Sequence, residues 1–230
     1  MDKKNSLLMA NMMSSSGGGS PIPAQYTVVD WIQPSTSTYN SATCYIDTGV
    51  TASENTILYF KMTFILYSDI TSNTGYIGNL FGSEGYNGGY SMNIITYTGN
   101  TGSGNGGEAN IFANGFGAHL VQNQKMSIEL KDNVYTTSLG FSHNVTMQSN
   151  KTQKGTMYIF TVCGQGANPS YQAKMKLYDF KFGKSESELV RDYVPVYDTV
   201  TQKYGLWDKI TQTFSTSTYS ASYQMLGGND

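Results

Sequence analysis

Two carboxylates on one face of a strand can split a glycosidic bond, one protonating the leaving oxygen and the other acting as nucleophile. The chain offers one close pair, Glu186 and Glu188. They lie in Lys184-Ser185-Glu186-Ser187-Glu188, which reads as a solvated hairpin tip. The E-x-D-x-x-E spacing that would put paired carboxylates on one strand occurs nowhere in the sequence. Asp192 directly follows Arg191 and reads as its structural charge partner, with Asp208 far away in sequence. The histidines are His119 in GFGAHLV and His143 in GFSHNV; neither has a serine or cysteine elbow nearby. Each reads as an ordinary, partly buried histidine. No catalytic residue is therefore assigned. With two histidines and no clustered Asp/Asn loop, no metal site and no cofactor are expected. Cys44 and Cys163 match no metal or redox spacing and read as small buried hydrophobes, with a single disulfide between them as the alternative, for which the sequence supplies no geometry. Gly102, Gly104 and Gly107 satisfy G-x-G-x-x-G, but no helix pattern follows, so the glycines read as a flexible loop.

Sugar binding has more support. Aromatic faces stack on sugar C–H surfaces, while amides and hydroxyls match the hydroxyl groups. Tyr86, Asn87, Tyr90, Tyr97 and Asn100 supply these types around two glycine-rich loops, SEGYNGGY (83–90) and GNTGSGNGG (99–107). They form the candidate glycan-binding set, although tyrosine is abundant throughout the chain.

The elements that would carry these loops are strands. Leu58, Phe60, Met62, Phe64 and Leu66 alternate with Tyr59, Lys61, Thr63, Ile65 and Tyr67. A period of two puts one face in a core. Met126, Ile128 and Leu130 repeat the pattern, as do Met157 and Ile159. Near the end, Ala173, Met175 and Leu177 share one parity while Phe180 and Phe182 take the other. Either a bulge near Tyr178–Asp179 switches the face, or both faces are covered there. No window shows a helical period beyond two turns. Many short strands between turn signals make this an all-β sandwich.

Composition bounds the partners. The 230 residues include 25 glycines and 18 tyrosines, charged residues are 13%, and the net charge is −2. Nucleic-acid binding needs a dense Lys/Arg footprint, so none is expected. No apolar run reaches the ~20 residues that span a bilayer, so no membrane is expected either. The first residues, MDKKNSLLMANMMSSSGGGS, superficially resemble a signal peptide. The apolar stretch is short, contains Asn11 and lacks a small-x-small site behind it, so it reads as retained. The chain thus divides into an arm with a Gly17–Gly19 hinge (1–20) and one sandwich domain (21–230). Leu7, Leu8, Met9, Met12 and Met13 are too few to form a core and read as an anchoring peptide that orders on a partner.

The terminal third carries a resemblance. AKMKLYDFKFGKSESELVRDYVPVYD (173–198) and KYGLWDKITQTF (203–214) resemble the closing signature of the concanavalin A-like jelly-roll domain of phage and prophage structural proteins. YTVVDWIQPSTSTYNSATCYIDTGV (26–50) and LFG (80–82) agree, so the resemblance runs from about Tyr26 to Tyr219. It implies a concanavalin A-like jelly-roll β-sandwich in the virion, as a head-fibre or capsid-decoration protein or a tail appendage. Its implied partners are other virion proteins, copies of itself as a homo-oligomer, and host or mucosal glycans. The same sandwich class includes β-glucanases, so a glycan hydrolase is the rival reading. A bacterial surface adhesin is the third.

Overall fold

The computed structural model describes residues 21–35, 44–51, 53, 56–67, 76–83, 92–97, 107–111, 114–146, 155–163, 169–170, 173, 175–217 and 224–230. Among them there is no helix, and the strands fall into two large sheets, as expected. In chain order they begin with β1 (Tyr26–Val28), β2 (Trp31–Pro34), β3 (Ile46–Asp47), β4 (Tyr59–Leu66), β5 (Tyr76–Ser83) and β6 (Met92–Tyr97). Next come β7 (Gly107–Ile111), β8 (Asn114–Gly117), β9 (Lys125–Lys131), β10 (Val134–Thr137), β11 (Ser142–Asn144), β12 (Tyr158–Ile159) and β13 (Val162–Cys163). Last are β14 (Pro169–Ser170), β15 (Met175–Gly183), β16 (Leu189–Asp198), β17 (Lys203–Asp208), β18 (Thr213–Ser215) and β19 (Met225–Gly228).

The larger sheet runs β11-β10-β9-β4-β15-β16-β17-β18, with β1, β2 and β19 attached beside β15 and β16. The smaller runs β14-β13-β5-β6-β7-β8, with β12 and β3 alongside β5. Among the described strands, pairing is antiparallel except for a single parallel contact between β13 and β5; an isolated parallel bridge also joins Leu66 and Gln122. The two sheets close on one core. Phe60, Met62, Phe64 and Leu66 of β4 are fully buried, as are Ile128 and Leu130 of β9. Ile46 of β3, Ile111 of β7 and Ile159 of β12 meet them from the smaller sheet. The alternation read from Leu58 to Leu66 is therefore a true inward face, with Leu58 packed at its margin.

The parity break in β15 is a bulge. Leu177 pairs with Phe64 and Asp179 with Thr63, so Tyr178 is the extra residue on β15. The bulge keeps Met175, Leu177, Phe180 and Phe182 all in the core and turns Asp179 and Lys181 outward. A second irregularity follows Phe182, where Gly183 ends the strand. A Cβ there would collide with the Glu188 carbonyl oxygen, so the hairpin needs glycine at that point. Phe160, wholly buried between β12 and β13, takes a left-handed backbone (φ 72°) that a bulky residue adopts only under tertiary constraint.

Candidate functional site

The signature residues hold the sandwich together. Arg191 pairs opposite Phe182 and so points to the inner side of the larger sheet. Its Nε and Nη2 donate to the Thr48 carbonyl just after β3, at 3.1 and 2.9 Å, tying the two sheets together. Its charge partner is Asp208, 3.4 Å away and almost wholly buried. The expected Arg191–Asp192 pair is thus corrected. Neighbours on a strand face opposite ways, and Asp192 faces outward to Lys209 at 3.5 Å. Asp208 also accepts from the Asp192 and Ile210 amides, both at 3.0 Å, and from the Thr211 hydroxyl at 2.6 Å. Asp198 repeats the device, accepting from the Val200 amide (2.9 Å) and the Thr201 hydroxyl (2.7 Å). That hydroxyl, with burial opposing it, holds the Asp198 carboxyl below its ordinary value. Both turns read Asp-x-Val/Ile-Thr-Gln, and Gln202 and Gln212 each have φ 56°. This ten-residue repeat is visible in the sequence as a signal, yet it is not one of the motifs that drew a functional reading.

The histidines are packing residues. His119 stacks on Phe141 with 3.6 Å between ring centroids, and His143 on Phe116 with 4.2 Å. Cys44 lies fully buried in the core with its thiol 3.3 Å from the Gln224 carbonyl, and burial pushes that thiol above its ordinary pKa. Cys163 lies on β13, paired in register with Pro169.

The concentration of polar groups lies on the outer face of the larger sheet. Two rows cross this face in register, one over four adjacent strands and one over three. One row is Glu129, Lys61, Lys181 and Asp192, from β9, β4, β15 and β16. The neighbouring row is Ser127, Thr63 and Asp179. Thr63 and Ser127 hydroxyls meet at 3.0 Å. Lys61, Thr63, Asp179, Lys181 and Asp192 of these rows line a hollow of about 360 Å³, walled by Val194 and Lys209. Toward the β15–β16 hairpin lies a cleft of about 590 Å³, lined by Leu58, Tyr59, Lys131 and residues 184–187. Tyr59 lines the cleft and Lys61, two residues along β4, lines the hollow, so the two lie side by side on this face; the hollow forms a polar trough. Glu186, expected at a solvated tip, is half exposed there, and it ties the hairpin to the sheet through Lys131 at 2.9 Å and Lys181 at 3.7 Å. Lys131, foremost, holds the Glu186 carboxyl below its usual value.

Asp179 is the residue the sequence reading missed. Burial on the trough floor pushes its carboxyl above the ordinary carboxylate range, against the pull of the Thr63 hydroxyl and of Lys61 and Lys181. Its outward direction follows from the bulge, which strict alternation from Met175 does not give. Tyr59, its hydroxyl 3.3 Å from Glu129, has a phenol raised first by burial and then by that carboxylate. The trough can therefore offer ammonium donors, carboxylate acceptors and hydroxyls to a polyhydroxylated ligand from a rigid sheet.

Of the five candidate glycan residues, Tyr86, Asn87, Tyr90 and Asn100 lie outside the described residues. Tyr97 ends β6, its backbone in register with Tyr76. Strand β6 joins the two loop segments in the chain, one before Met92 and one after Tyr97. Leu7, Leu8, Met9, Met12 and Met13 also lie outside the described residues. Among the described residues no group of His, Cys, Asp and Glu is placed to hold a metal ion.

Fold and face together define an antiparallel β-sandwich with an open polar trough. No protein-family profile matches the chain, and no curated protein matches it. Among solved structures, the crystal structure of a Bacteroides ovatus protein proposed to bind carbohydrate is similar, at 13% identity and a TM-score of 0.47. The match covers 88% of this chain and 61% of that one, so this chain spans less than two thirds of its length.

Proposed function

We propose that this chain is a lectin-like, concanavalin A-type adhesion domain that binds glycan and is carried on a phage particle by its N-terminal arm. The observation that carries the glycan reading is the outer-face trough. Carboxylates of Asp179 and Asp192, ammonium groups of Lys61, Lys181 and Lys209, and hydroxyls of Thr63 and Ser127 stand on adjoining strands over a sealed core. Such a surface exchanges bound water for sugar hydroxyls without rearranging its backbone. Support for the virion reading is the resemblance of residues 173–214 to the closing signature of phage jelly rolls. Within this molecule, Arg191, Asp198 and Asp208 of that signature serve the architecture. The loops bearing Tyr86 and Asn87, and Tyr97 and Asn100, remain second candidates for sugar contact.

A glycan array probed with the full chain and with Thr63→Trp tests the reading, since the large side chain fills the trough from its floor. Binding by the wild type that is lost in Thr63→Trp is the expected result. Binding retained there but lost on joint replacement of Tyr86, Tyr90 and Tyr97 by alanine moves the site to the loops. An array with no binder removes the glycan role. Density for this chain on intact particles tests the virion assignment.

A further inference from the structure

Taking the trough as the glycan site, we infer that it selects acidic saccharides, with the sugar's carboxylate or sulfate seated between the Lys61 and Lys181 ammonium groups above Asp179. These two lysines are direct cross-strand partners on the outer face. Like charges directly opposite on adjacent strands repel, because their Cβ atoms are ~5 Å apart. Each lysine also meets an acid: Lys61 meets Glu129 of β9 at 3.9 Å, and Lys181 meets Glu186 at 3.7 Å, a carboxylate that reaches back past Tyr59 to Lys131. Both contacts are long for charge-assisted bonds, and both lysines keep exposed side-chain surface, 41% and 29%. Both lysines line the hollow together with Lys209, so three ammonium groups border it against the carboxyls of Asp179 and Asp192, leaving room for an anionic partner.

The remaining charges agree. Groups facing Asp179 are Lys61 and Thr63 from β4, Lys181 from its own strand, Asp192 from β16 and Lys209 beyond β17, with Ser127 and Glu129 of β9 across Thr63 and Lys61. Burial favours the protonated form of Asp179 over the pull of both lysines. Once Asp179 takes up its proton, Lys61, Lys131, Lys181 and Lys209 face only Glu129, Glu186 and Asp192 as charged acids. An anion arriving between Lys61 and Lys181 balances the set and favours the Asp179 proton further. Binding therefore takes up a proton, and affinity rises as pH falls. Meanwhile Thr63, Ser127 and Asp192 remain for the sugar hydroxyls.

The test measures binding of the full chain to three probes: an oligogalacturonate, a sulfated heparin-derived oligosaccharide and a neutral cello-oligosaccharide. The sulfated probe stays charged at every pH used, which separates the ligand's titration from that of Asp179. Expected is binding of an acidic probe that weakens about tenfold or more in Lys61→Gln and in Lys181→Gln, and with added salt. Lys203→Gln, at the start of β17, should leave it unchanged. The carboxylate and sulfate arms decide which anion is taken. Asp179→Asn should bind with a flattened pH profile. Acidic binding that is indifferent to both lysine variants overturns the inference. So does a neutral probe bound as tightly as the acidic ones, which leaves the glycan reading standing. No binding of any of the three, with an empty glycan array, removes both.

Discussion

Single side chains in this molecule separate cleanly into those that seal the core and those that load the outer face, and each kind predicts a different response to replacement. Phe60 is fully buried on β4, between Leu130 of β9 and Phe182 of β15 in register. Phe60→Ala should cost about 3–5 kcal/mol, from lost transfer energy and the cavity left behind. Denaturant unfolding checks it, and a loss below about 1 kcal/mol would contradict the burial of that face. Asp179 predicts the opposite sign. Its folded pKa is raised, so the native state holds its proton over a range in which the unfolded chain, with a carboxyl near 3.9, has lost it. Stability contributed by this group is therefore full below that value and declines as pH climbs through the folded pKa. Asp179→Asn does not titrate. The variant should match the parent near pH 3 and be more stable at pH 7; thermal unfolding at the two pH values decides. Equal stability at pH 7 would mean that Lys61 and Lys181 fully offset the burial.

Elements were legible in the sequence where alternation is strict, and illegible where pairing decides. The inward faces of β4 and β9 follow from period two alone, because Phe60 to Leu66 and Met126 to Leu130 each place their apolar set on one parity. Strand β15 announced its bulge as a parity break between Leu177 and Phe180. What alternation cannot supply is the neighbour across the ladder. Lys61 and Lys181 are 120 positions apart in the chain, and only register makes them partners. Arg191 and Asp192 show the complementary error, adjacent in sequence yet on opposite faces of β16. The twin Asp-x-Val/Ile-Thr-Gln turns rank by what each aspartate holds. Asp208 serves its own turn, the Asp192 amide and the partly buried Arg191 guanidinium, whereas Asp198 serves only its own turn among the contacts described. Asp208→Ala should therefore cost about 3 kcal/mol, since it leaves a mostly buried charge without its carboxylate. Asp198→Ala should cost clearly less. Urea titrations of the two variants side by side test the ranking, and equal losses would show that Arg191 draws its support from the Thr48 carbonyl alone.

At the scale of the whole molecule, the sandwich and the arm make separable demands. Every described strand pair and every core residue lies at or beyond β1, and β19 returns to pair with β2, so the chain closes its larger sheet without residues 1–20. Deleting residues 1–16 should leave the melting temperature and the strand-type circular dichroism of the domain unchanged. It should also leave saccharide binding unchanged, because the trough is built from β4, β9, β15 and β16. Attachment is the property expected to fail. Leu7, Leu8, Met9, Met12 and Met13 are too few to form a core of their own, and methionine adapts to an irregular groove on a partner. Gly17–Gly19 would serve as the hinge that lets such a docked peptide carry the domain at varied angles, as glycine-rich sequence is flexible. Truncated protein supplied during particle assembly should therefore be missing from purified particles while the full chain is present at its normal copy number. Incorporation of the truncated chain at that same copy number would place the attachment surface on the sandwich itself. A truncated chain that no longer melts cooperatively would instead assign residues 1–16 to the fold.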